Sequence, residues 1–139
     1  MILPLVFWMF LAGAIAIGWQ AGDRADRRVL LTIFVTAAAT SAAHNLAEYP
    51  LSNIVVVLID IALLIFVVRY ALVSDRHWPV WFAGFHAASI ILSISGILLP
   101  KGDNDWLTIG AAFWALPALA FMAAGLLMDQ RRGIRNTVQ

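Results

Sequence analysis

Long apolar runs alternate with short polar connectors along this chain. Five runs stand out, at 1–19, 29–47, 54–73, 79–99 and 107–128. Each approaches the ~20 residues that an α-helix needs to cross a hydrocarbon core of ~30 Å. A barrel strand would show ~10-residue alternation instead, and none is visible. The pattern predicts an all-α membrane protein: a bundle of five transmembrane helices forming one polytopic domain over residues 1–139. The connectors carry matching punctuation. Asp26 can cap the second helix and Pro50 stop it, and Ser52 or Asn53 can cap the third. Ser74 or Asp75 followed by Pro79 opens the fourth, Pro100 closes it, and Asn104 or Asp105 caps the fifth.

Composition sharpens this picture. The chain is 63% hydrophobic and 12% charged, where soluble domains carry roughly 25% charged residues. Cysteine is absent, which excludes disulfides, a thiolate nucleophile and cysteine-based metal sites. A net charge of +1 suggests no nucleic-acid partner. There is no phosphate-binding loop, dinucleotide fingerprint, nucleophile elbow or metalloprotease helix, so the sequence favours a non-enzymatic protein with no cofactor and no metal.

The basic residues are unevenly placed. Arg24, Arg27, Arg28, Arg69, Arg76, Arg131, Arg132 and Arg135 fall on one side of the predicted bundle, and only Lys101 on the other. Basic flanks stay in the cytoplasm, so the N-terminus of this multi-pass protein is expected outside and the C-terminus in the cytoplasm. The first run lacks a basic leader region and reads as a retained helix rather than a secretory signal. Trp19, Tyr70, Trp78 and Trp81 would anchor the inner boundary, with Tyr49 and Trp106 at the outer one. His77 and the tail RRGIRNTVQ would stay in water or touch lipid headgroups.

Candidate chemistry centres on Asp60, the single break in the run IVVVLIDIALLIFVV. A charged aspartate at a helix centre costs about 2.5–3.5 kcal/mol on insertion scales, so it should be neutral, paired or wet. At 1.5 Å per residue, Asp60, His44, Thr40 and Ser93 all lie roughly 16–22 Å above the inner boundary. Trp8 and Trp114 fall near that depth, and an indole N–H there wants an acceptor. On the second helix Thr36, Thr40, Ser41, His44, Asn45 and Glu48 share one half of the circumference, and on the fourth His86, Ser89, Ser93 and Gly96 share one face. Ser95 points the other way. The expected network is Asp60, His44, Glu48, Asn45, Thr40, Ser93 and Trp114. In it Asp60 is either a neutral acid donating to His44 or Ser93, or half of an ion pair with a histidinium. His86 and Ser89 form a second polar site in the inner half. The bland alternative is interhelical glue, worth ~0.6 kcal/mol per bond on average.

His44 and His86 differ by about 12 Å in depth, too far for two axial ligands of one haem. His44 and Glu48, four residues apart, with Asp60 form at most a weak metal set. Small residues recur at four-residue spacing, at Ala14 and Gly18, through AAATSAA at 37–43, at Gly84 and Ala88, and at Ala120 and Ala124. Such spacing lets helices approach closely in lipid and suggests that the second helix is the bundle centre or an oligomer seam. Pro117 should kink the fifth helix.

The stretch DIALLIFVVRYALVSDRHWPVWFAGFHAAS resembles small proteobacterial inner-membrane proteins in which an Asp-led apolar helix precedes an SDRxWPxW connector and a Gly-Phe pair. The resemblance covers about thirty residues. It implies a bacterial inner membrane, and neither a function nor a site residue. The same segment also has a physical account: a capped helix start, proline in the first turn and tryptophans at the interface.

Together these features suggest a membrane subunit or small oligomeric pore whose polar layer around Asp60 conducts protons or small ions. An accessory or assembly subunit of a larger complex, or a phage-type membrane-permeabilising protein, is the alternative, with the layer purely structural. An intramembrane enzyme or haem carrier ranks third. Lipid and other copies or subunits are the expected partners.

Overall fold

The computed structural model describes residues 2–46, 51–98 and 105–133. Five helices account for nearly all of them: α1 (Ile2–Ala21), α2 (Arg24–Leu46), α3 (Leu51–Val73), α4 (Trp78–Leu98) and α5 (Asp105–Arg131). Helix α2 starts five residues before its apolar run because Asp23 caps it. Asp23 Oδ1 accepts from the N–H groups of Ala25 and Asp26, and Asp26 Oδ2 accepts from the Asp23 N–H in return. This is a reciprocal capping box with aspartate in both roles. Asp23, rather than Asp26, is therefore the cap residue.

Each helix packs on its neighbours in the chain, and α1 closes the circle by packing on α5. Among the described residues no helix lies at the centre, so the expectation that the small-residue helix α2 would be central is corrected. The α4–α5 seam is the most extensive. Gly125 permits it, since a Cβ there would sit 2.5 Å from Trp78 Cβ, and a ladder of rings seals it. Phe85 stacks on Trp114 and Phe121, and Trp81 also stacks on Phe121. Gly18 plays the same part between α1 and α2, lying directly against the Leu30 side chain. Pro117 lies inside α5.

The two ends of the bundle differ. Near the α1–α2 turn, Leu11, Leu30, Ile33, Leu63, Val67, Phe82, Leu119, Met122 and Leu126 form a contiguous buried core. Toward the other end, α1 and α2 bury no described side chain beyond Leu11 and Ile33, because α2 there offers mainly Ala, Thr and Ser. Large apolar side chains such as Phe10, Leu31, Leu58, Ile91 and Phe121 remain exposed around the outside, as expected where the surroundings are acyl chains. The spans 24–46, 51–73, 78–98 and 113–131 are each long and apolar enough to cross a membrane. The described apolar part of α1 is Leu5–Ala21. This is the make-up of a multi-pass membrane protein.

Candidate functional site: a one-ended cavity at Asp60

Where the core stops, the ring encloses a cavity of about 410 Å³ to which every helix contributes. Its volume lies in the roughly 300–1,000 Å³ range of small-molecule sites. Ile33, Leu63, Phe82 and Leu119 form the floor, and each also belongs to the buried core. The walls carry Phe7 and Trp8 from α1, Thr36, Thr40 and Ser41 from α2, Asp60 from α3, and His86, Ser89 and Ser93 from α4. His44, exposed to solvent, stands at the rim.

Four of the polar side chains in this space bond to main-chain carbonyls. Thr36 donates to the Thr32 carbonyl and Thr40 to that of Ala37. Ser89 Oγ donates to the Ala111 carbonyl, joining α4 to α5, and His86 Nε2 donates to the Asp60 carbonyl at 3.1 Å, joining α4 to α3. These last two bonds are the interhelical glue. The Asp60 carboxyl takes no part in it, for no described residue hydrogen-bonds to it. A half-buried carboxyl in a cavity wall without a hydrogen bond from any described residue is an unusual arrangement.

The predicted polar layer is therefore assembled in part. Asp60, His44, Thr40, Ser93, His86 and Ser89 share the cavity, so the two sites expected at different depths are one. Asn45 is exposed and bonds back to the Ser41 carbonyl. Trp114 stacks on Phe85 and does not line the cavity, and Trp8 lines it without a hydrogen bond to Asp60. No hydrogen bond or ion pair joins Asp60 to His44 or Ser93 among the described residues. Ser95 bonds to the Ile91 carbonyl. Glu48, Tyr49, Pro50, Pro100, Lys101, Asn104 and Arg135 lie outside the described residues. The described residues contain no group of three or more His, Cys, Asp or Glu able to hold a metal ion.

Beneath the apolar floor lies a feature that sequence reasoning missed. Arg76, read as a cytoplasmic flanking residue, is buried. Its Nε is 3.0 Å from Asp26 Oδ2, and its terminal nitrogens lie 3.6 Å from Asp23 Oδ2 and 3.8 Å from Asp129 Oδ2. Asp26 Oδ1 accepts from the Tyr70 hydroxyl at 2.8 Å and from Trp78 Nε1 at 3.1 Å. Trp78 is fully buried rather than anchored at the interface. Five ionisable or phenolic groups and an indole thus tie α2, α3, α4 and α5 together. The signal available in the sequence was two aspartates, Asp26 and Asp129, at the ends of spans on the strongly basic side. Trp19, by contrast, is exposed, with the Arg27 guanidinium 5.4 Å from its ring centroid, as an interfacial anchor should be.

Comparison with protein-family models, with curated proteins and with solved structures finds no match for this chain.

Proposed function

We propose that this protein is a small membrane-embedded binding protein with five spans, in which Asp60 receives a proton, a small cation or a hydrogen-bond donor carried by a ligand. The observation that carries the reading is the Asp60 carboxyl, set in the cavity wall with no described donor, while Thr36, Thr40, His86 and Ser89 beside it bond to carbonyls. The arginines support an orientation with the Arg76 end in the cytoplasm and the cavity toward the outer leaflet. Together with the SDRxWPxW resemblance, that favours a bacterial inner membrane.

A conducting pore through one chain is less well supported. Between the floor at Phe82 and the polar cluster at Arg76, close-packed Trp78, Val67, Leu30 and Met122 leave no continuation. The expected behaviour is binding without leak. Liposomes containing the full chain should hold a pH gradient as protein-free liposomes do. Dicyclohexylcarbodiimide, a lipid-soluble carboxyl reagent, should modify Asp60 and spare Asp26, as mapped by mass spectrometry. Failure to label Asp60 while Asp26 reacts would contradict the binding role.

A further inference from the structure

The cavity raises the question of how an occupant reaches it. Helices α1 and α2 share the least contact of the five neighbouring pairs, since α1 leans on α5. Gly18 lies against Leu30 toward the Arg76 end, and Trp8 meets Phe34 edge to face nearer the cavity. Beyond that level α3 still buries Ser52 and Val57, α4 buries Ile90 and Gly96, and α5 buries Ala111. Neither α1 nor α2 buries any described side chain there. The sparsest part of the described cavity wall is therefore between these two helices, at the level of the half-buried Phe7, Ala37, Thr40 and Ser41.

The chemistry of that stretch suits hydrocarbon. Thr36 and Thr40 return their hydroxyls to carbonyls of their own helix, so these two residues can face acyl chains without an unpaired donor, a condition that lipid imposes. Ala37, with its short side chain, lines the cavity beside them.

Resting on the reading of Asp60 as an acceptor, we infer that the cavity is loaded sideways from the bilayer through the α1–α2 gap, and that its occupant is a lipid-soluble molecule with a compact apolar body and one amine or hydroxyl. The aromatic and aliphatic walls hold the body, and Asp60 takes the head. A charged amine would gain the most, being paired with the carboxylate in a cavity that Phe7 and Trp8 also line.

The chain has no cysteine, so a nitroxide label can be placed at a single position, Thr40→Cys, with Ser41→Cys as a second site should the first disturb folding. In liposomes, collisions of the label with oxygen, which concentrates in hydrocarbon, are compared with collisions of a water-soluble nickel chelate. The expected result is oxygen exceeding nickel, with 1-adamantylamine lowering the oxygen term in the parent background and not with Asp60→Asn added. Nickel exceeding oxygen would overturn the sideways route. It would leave the acceptor reading standing if the amine still protects in an Asp60-dependent way. Low access for both reagents would mean that a second copy or another helix covers the gap, which also overturns the route. Oxygen access that the amine never changes would overturn the ligand class.

Discussion

Arg76 and Asp26, fifty positions apart in the chain, pair at 3.0 Å with side chains 2% and 0% exposed. A buried ion pair is costly to form. Once formed it is costly to break, since removing one partner strands the other charge at about 3–5 kcal/mol. Arg76→Met should therefore destabilise the bundle by that order, leaving Asp26, Asp23 and Asp129 facing one another. Asp26→Asn keeps acceptors for Tyr70 and Trp78 and should cost less. Unfolding of the purified protein in mixed micelles by increasing SDS fraction measures both, and the ordering of the two losses is the test.

Tyr70 donates to a charged acceptor at 2.8 Å. Hydrogen bonds to charged groups contribute about 1.5–3 kcal/mol, so Tyr70→Phe should lose an amount in that range while leaving helix content unchanged by circular dichroism. A double-mutant cycle with Asp26→Ala should show strong coupling, because that change removes the carboxylate oxygen to which the hydroxyl donates.

Gly125 lies where a Cβ would meet Trp78 Cβ at 2.5 Å and Trp78 Cα at 3.2 Å. The nearest atoms are the backbone and the root of a fully buried side chain, neither of which can swing aside. Gly125→Leu should force α4 and α5 apart, with a loss at or above the about 1–3 kcal/mol of ordinary overpacking. Gly84, with nothing within 4 Å of its Cβ position, is the control. Gly84→Leu should be close to neutral in the same unfolding assay.

His86 and Ser89 carry the interhelical bonds of the cavity. Replacing either by alanine should cost about 0.6–1.7 kcal/mol, the span seen for such bonds in membrane bundles. A far larger loss at His86 would mean that its ring holds more than the Asp60 carbonyl.

Much of this arrangement is legible along the chain. Apolar run length gave the five helices, and rise per residue placed Asp60, His44, Thr40 and Ser93 at one depth, where the ring brings them to one cavity. Angular position was less informative. Trp114 shares the depth of Asp60 but faces Phe85, because which neighbour a ring meets depends on how helices lean and not on its own helix alone. The buried cluster was hidden for a different reason. An arginine at a span boundary looks the same in sequence whether water or Asp26 satisfies it, and its partners come from α2 and α5. Glycines such as Gly125 read only as small, until the facing helix shows what they let in.

The measurement closest to the central claim is the unfolding of Asp60→Leu beside the parent in the same micelles. If the carboxyl is spare, waiting for a donor from outside, exchanging it for an apolar side chain in an apolar wall should leave stability unchanged within about 0.5 kcal/mol or raise it. A loss of about 2 kcal/mol or more, as expected when a buried hydrogen-bond network is broken, would show that Asp60 holds the bundle together and would contradict its role as the acceptor.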